Sequence, residues 1–247
     1  MRIYKTLLKN ELKMSIRGMD MLIFAVFMPI IVLIILGFVF GQKPAFTGAG
    51  YSFLEQSFGA LCSISICAGG VMGLPLVISD YREKQILKRY QVTPVKSLLV
   101  LLVEVSMYVI YAVISLLSLF IVATCFFGFK MRGSFALFII GYLLVIISIF
   151  SIGTMVGGIS KNSKIAGVIA SVLYFPMIIF SGATLPYEVM PDLMQKIVNV
   201  LPLTQGIIIL KNATLGLPVE NVIGAVVFMI ITAVLCSTVA IKFFRWE

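Results

Sequence analysis

The sequence predicts an all-α membrane protein with six transmembrane helices, and three observations predict it. Hydrophobic residues make up 61% of the 247-residue chain and charged residues 12%. With a mean hydropathy of +1.13, that is more apolar surface than a soluble core of this length could bury. Six apolar runs recur, each near the length a helix needs to cross hydrocarbon. Lys and Arg gather in alternate connections, the pattern that sets the orientation of membrane helices. Residues 1–247 read as a single transmembrane domain.

Residues 1–20 precede the first run. Lys5, Lys9, Lys13 and Arg17 recur every four residues as a cationic stripe, and Ile3, Leu7, Leu12, Ile16 and Met19 fill much of the other side. An amphipathic helix lying in the membrane interface has this pattern. Lipid anchoring and contact with a partner are both compatible with it. The first span is expected at about 21–40. It is long enough to cross and no small-residue cleavage site follows it, so a cleavable signal peptide is not expected. The second span is expected at about 58–78, where Ala68, Gly69, Gly70 and Gly73 permit close helix approach or bending at Pro75. The third is placed at 97–120, prolonged by 122–127. The fourth falls at 135–159, the fifth at 165–180 and the sixth at 222–240.

Between spans two and three, residues 80–96 form an island of charge. Arg82, Glu83, Lys84, Lys88 and Arg89 surround Ile86, Leu87 and Tyr90, which fall at helical spacing. A short amphipathic helix at a membrane face results, too polar to enter lipid and suited to receive a partner. The plainer reading is a solvated basic loop held against lipid.

Residues 181–220, between spans five and six, also depart from a simple connection. Gly182 and Pro186 break span five. Pro191 opens a short helix with Asp192 in its first turn, and Pro202 ends it. At about ten residues this helix is ~15 Å long, too short to cross. A second short helix is expected at about 205–213, before Gly216 and Pro218. The segment reads as re-entrant, either as a gate or as a lid over the end of the bundle.

Orientation follows from charge. The N-terminal segment, the 80–96 loop, the loop after span four (Lys161, Lys164) and the tail (Lys242, Arg245) carry 14 Lys and Arg; the alternate loops carry 5. Both termini are therefore expected in the cytoplasm, with anionic lipid rather than nucleic acid as the partner of the basic charge. Cys62, Cys67, Cys125 and Cys236 lie in or at the ends of spans without metal-ligand spacing, and there is no histidine. A metal site is not expected, and packing is the reading for the thiols. Glu104 is the single acid well inside an expected span. It lies near the cytoplasmic end, where it would reach water or pair with a basic side chain of the 80–96 segment.

The run Phe180-Ser181-Gly182-Ala183-Thr184-Leu185-Pro186, followed by Met190-Pro191, Leu201-Pro202-Leu203-Thr204 and Leu210-Lys211, resembles a signature of the type-2 family of ABC exporter permeases. The island ending Leu87-Lys88-Arg89-Tyr90-Gln91-Val92-Thr93-Pro94 resembles that family's loop between spans two and three. With six spans after an interfacial helix, the resemblance covers essentially the whole chain. The multidrug branch has bulky apolar residues after the Ser-Gly, where this chain has Ala183 and Thr184.

The resemblance implies a subunit that works as a homodimer or heterodimer with a second permease copy or paralogue, driven by ABC-type ATPase subunits that bind ATP and Mg. The chain itself would bind no cofactor and catalyse no reaction; it has no GxxxxGK[ST] loop. Residues 80–96 would then hold the coupling helix. Ile86, Leu87 and Tyr90 would enter a groove on the ATPase, and Arg82, Glu83, Lys88 and Arg89 would set register at its rim. Glu104 would belong to a polar relay tying the interfacial helix to the bundle. The family's substrate path is lined by spans one, two and five. On those spans this chain offers Phe24, Phe27 and Met28; Phe58, Cys62, Ile66 and Met72; and Tyr174, Phe175, Met177 and Phe180. Such aromatic and Met surfaces suit amphipathic or hydrophobic cargo, whether a drug-like compound, lipid, peptide or glycan. Efflux across a bacterial plasma membrane is the expectation. A secondary transporter would be expected to show repeats and paired intramembrane charges. A membrane enzyme would need a nucleophile with a base, or a carboxylate pair. A non-catalytic subunit of a membrane assembly is the remaining alternative.

Overall fold

The structure, a computed structural model, describes residues 2–18, 22–41, 43–45, 48–86, 97–181, 191–218, 220 and 222–243. Among these the regular elements are all helices. The amphipathic N-terminal segment forms α1 (Arg2–Gly18). Six helices are long and apolar enough to cross a membrane: α2 (Ile23–Phe40), α3 (Phe53–Glu83), α4 (Ser97–Phe127), α5 (Phe135–Ile159), α6 (Ser163–Phe180) and α9 (Ile223–Phe243). Between α6 and α9 lie two short helices, α7 (Asp192–Val198) and α8 (Pro202–Leu215).

The second span is the main departure from expectation. It runs for 31 residues rather than over 58–78 alone, and 83% of its membrane window is buried. At its start, Ser52 accepts a hydrogen bond from the Glu55 amide at 3.2 Å, and Glu55 in turn accepts from the Ser52 amide at 2.9 Å. This reciprocal cap begins the helix several residues before its most apolar stretch. At the other end the helix continues through Arg82 and Glu83 and stops where Gln85 takes a positive φ of 53°. The first two charges of the expected separate helix thus belong to span two.

Proline explains the local winding of α2 and α3. Each contains a wider, π-helical turn, at Ile23–Phe27 and Ala68–Gly73, and each turn lies just before a proline, Pro29 or Pro75. Proline lacks the N–H that would bond the carbonyl four residues back. For Pro29 that carbonyl belongs to Ala25, and the buried Ser65 hydroxyl of α3 donates to it at 2.5 Å. The two irregular helices are thereby pinned to each other.

The core forms around α3. It packs against α2, α5, α6 and α8, while α9 lies along α5. Phe58 sits at its centre, stacked on Phe129 with ring centroids 4.4 Å apart and flanked by Phe120 and Phe138. Buried hydroxyls cross-link the remaining helices: Tyr142 donates to the Ala112 carbonyl at 2.7 Å, and Ser148 to that of Met229 at 2.8 Å. Pro202, expected to end the preceding helix, opens α8 instead: α7 already stops at Val198, and the fixed φ of proline suits the first helical position. With fourteen residues α8 is ~21 Å long, short of a full crossing. It buries Leu203, Ile207 and Leu210 against α3, α5 and α9.

Candidate functional site

The helices place polar groups at both ends of the bundle. On the face where α1 packs against α4, Tyr4 donates to Ser106 at 2.6 Å. The last turn of α3 reaches the α5–α6 connection on this face. Arg82 donates to the carbonyls of Gly158 at 3.0 Å and Ser160 at 3.2 Å, which end α5. Glu83 accepts from the Ser163 amide at 2.9 Å, at the start of α6. A cation at a helix C-terminus and an anion at an N-terminus both match the helix dipoles. Arg82 and Glu83, expected at the rim of an ATPase groove, are therefore engaged within the chain. Ile86 is half-buried just past the turn, and Leu87, Lys88, Arg89 and Tyr90 lie outside the described residues. Lys84 pairs with Asp80 at 2.8 Å, an exposed i,i+4 contact of small energetic weight.

A cleft of about 390 Å³ opens between α1, the end of α3 and the start of α4. Glu11 of α1, Tyr81 of α3, and Glu104 and Tyr108 of α4 line it. Glu104 is 1% exposed, and among the described residues neither of its carboxylate oxygens completes a hydrogen bond. Glu11 and the Tyr81 hydroxyl are its polar neighbours, near enough to interact with it directly, although neither completes a hydrogen bond of full geometry in the structure. Glu104, Tyr108, Tyr111 and Ser115 follow a helical repeat down one face of α4, all buried and all with unpartnered side-chain oxygens. Sequence reasoning singled out Glu104 but missed Glu11 and Tyr81. Glu11 is the single acid of α1 and falls opposite the cationic stripe, which is the signal that could have found it.

At the opposite end, Glu55 accepts from Arg132 Nε at 3.1 Å as well as from its cap. The amides of Arg132 and Gly133 both donate to the Thr214 carbonyl at 3.0 Å, which fastens the α4–α5 connection to α8. A second cleft of about 310 Å³ lies beside this cluster.

The residues expected along a substrate path divide by exposure. Phe24, Phe27, Met28, Phe175 and Phe180 stand on the outer surface of α2 and α6, and Tyr174 is half-buried. Phe58, Cys62, Ile66 and Met177 are buried inside the bundle, and Met72 is intermediate. Of the expected external break, Pro191 caps the start of α7, whereas Gly182 and Pro186 lie outside the described residues. Cys62 and Cys67 are buried, Cys125 is exposed, and all four cysteines are free thiols. Among the described residues no cluster of His, Cys, Asp and Glu could hold a metal ion.

A multi-pass helical membrane protein with a six-span core is thereby defined. The family described as ABC-2 type transporter matches residues 2–215, and the chain belongs to it. It is 28% identical over 124 residues to the inner membrane transport permease YhhJ of Escherichia coli K12, and equally to that of Shigella flexneri. The match covers 50% of this chain and 33% of those relatives, so the chain aligns with about a third of their length.

Proposed function

We propose that this chain is the transmembrane subunit of an ATP-driven exporter. It works as a dimer with a second permease copy or paralogue, in a bacterial plasma membrane with both termini cytoplasmic. ATP and Mg bind a separate ABC-type ATPase subunit, and the cargo is amphipathic or hydrophobic. Family membership supports the transporter reading. The name of the relatives, inner membrane transport permease, supports the membrane.

The observation that carries the coupling is the clamp made by Arg82 and Glu83. These two side chains join the last turn of α3 to the end of α5 and the start of α6. A push delivered to the segment after Glu83 is therefore passed to three spans at once. In this reading Leu87 and Tyr90 anchor in the ATPase, α1 lies in the cytoplasmic interface, and α7 and α8 form the external re-entrant segment. The exposed Phe24, Phe27 and Met28 of α2 and Phe175 of α6 supply adaptable apolar surface for partner or cargo.

Replacing Leu87 and Tyr90 together by Asp tests this reading. Apolar anchors carry most interface energy, and an unpaired charge in their groove is costly. The ATPase should no longer co-purify, and stimulated hydrolysis should fall at least tenfold while the permease still inserts. Full co-purification with normal stimulated hydrolysis would refute the coupling.

A further inference from the structure

The cleft beneath α1 is acidic, and among the described residues lining it there is no Lys or Arg. Glu11 approaches from α1 and Glu104 from α4. Asp80 is at the mouth but already holds Lys84 at 2.8 Å. Two further observations point to a ligand. Among the described residues neither buried oxygen of Glu104 completes a hydrogen bond, although the Tyr81 hydroxyl lies nearby, and the buried Tyr108 hydroxyl has no partner either. Glu104 and Tyr108 are both 1% exposed and line the cleft. Buried polar groups in proteins are almost always satisfied, and a buried carboxylate without a donor or cation is among the most costly exceptions. Leu76, Val77, Met14 and Met107 supply the apolar part of the lining, beside Tyr81, Ser15 and Ser163.

We propose that this cleft is a binding site for an amphipathic organic amine. The ammonium group lies between Glu11 and Glu104 and donates to the Tyr108 hydroxyl. The hydrocarbon or aromatic part rests on Met14, Leu76 and Met107. An ammonium has three donors and no acceptor, which matches two carboxylates and one hydroxyl. A hard divalent ion fits less well, since it takes six or more oxygen ligands and no suitable group of acids is present among the described residues. At about 390 Å³ the cleft is in the size range of small-molecule sites. Under the function proposed above, the site lies on the cytoplasmic side, where cargo or a regulator would arrive. Binding itself needs neither ATP nor flux, so the two proposals fail separately.

The test uses the full chain in lipid nanodiscs with 2-phenylethylamine as probe, against 2-phenylethanol and 3-phenylpropionate. Saturable binding of the amine is expected, at least tenfold tighter than of the alcohol or the acid. Glu104→Gln and Glu11→Gln should each weaken amine binding about tenfold and leave the weak alcohol binding unchanged. Ser15→Trp fills the mouth of the cleft from α1 without touching the carboxylates, and should abolish amine binding. Equal affinity for amine and alcohol would show partition into lipid and overturn the proposal. Unchanged amine affinity in Ser15→Trp or in both Gln variants would do the same. So would failure of the amine to bind the wild-type protein, the result expected if a basic side chain of the chain or of a docked protein already fills the site.

Discussion

Glu55 and Glu104 are both buried acids, 6% and 1% exposed, at opposite ends of the bundle. Their surroundings differ completely. Glu55 is held by the Ser52 amide and by Arg132, and it caps the helix on which the core is built. Among the described residues neither oxygen of Glu104 completes a hydrogen bond, and a second acid, Glu11, lies beside it in the same cleft. Burial of a carboxylate alone therefore does not mark function. A satisfied acid is part of the scaffold; an unsatisfied one has been left open for something else.

The largest effect should come from the scaffold end. The Gly133 amide bonds the Thr214 carbonyl, and a Cβ added at Gly133 would run into the backbone carbonyl of Ala213. Backbone against backbone has no side chain to yield. Gly133→Ala should cost about 3 kcal/mol, at the upper end of overpacking losses, read as a lowered Tm of the purified protein in detergent. An unchanged Tm would mean that the α4–α5 connection is not fastened to α8 as described. Glu55→Ala should cost less, about 2 kcal/mol, since it removes one side of the reciprocal cap and the partner of a half-exposed arginine. Glu55→Gln keeps an oxygen for the Ser52 amide and should lose only about half as much. Equal losses in the two variants would assign the effect to the charge pair rather than the cap.

Most of this scaffold was legible in the sequence, and the candidate site was legible only in part. Hydrophobic length alone placed the spans from Phe135 to Ile159 and from Ser97 to Phe127. Span two was read too short, because Glu55 and Gln56 at one end and Asp80 to Glu83 at the other look like loop by hydropathy. Tertiary partners make those polar residues helical, and hydropathy does not see partners. The π-helical turns were foreshadowed by Pro75 and the nearby glycines, but the repair of the Ala25 carbonyl by Ser65, forty residues away, carries no local signal. Glu104 was visible as a lone acid in an apolar run. Its companions were not, because Glu11 sits in an ordinary amphipathic helix and Tyr81 at the end of a span.

At the open end the same kind of change should cost less. A Cβ on Gly73 would meet the outer edge of the Tyr108 ring. That ring can swing where a backbone carbonyl cannot, so Gly73→Ala should cost about 1 kcal/mol. The displacement moves the Tyr108 hydroxyl, and phenylethylamine binding should weaken severalfold. A loss as large as that of Gly133→Ala, with amine binding intact, would make the two ends equivalent.

Glu104→Gln should change stability least and says most about the contrast. If Glu104 paired with a basic side chain of its own chain, removing its charge would strand that cation in a buried place, a loss of about 3–5 kcal/mol. If the carboxylate is unpartnered, the neutral amide removes a desolvated charge and breaks no contact. Stability should then stay within about 0.5 kcal/mol of wild type or rise. The ligand supplies the second readout. A molecule that binds the folded state alone, at ten times its Kd, adds about 1.4 kcal/mol. Phenylethylamine at that concentration should raise the Tm of the wild-type protein and leave that of Glu104→Gln nearly unmoved, whereas Glu55→Gln should respond as wild type does. A large loss of stability in Glu104→Gln, with no response to the amine in either protein, would return Glu104 to the scaffold and make the two glutamates alike.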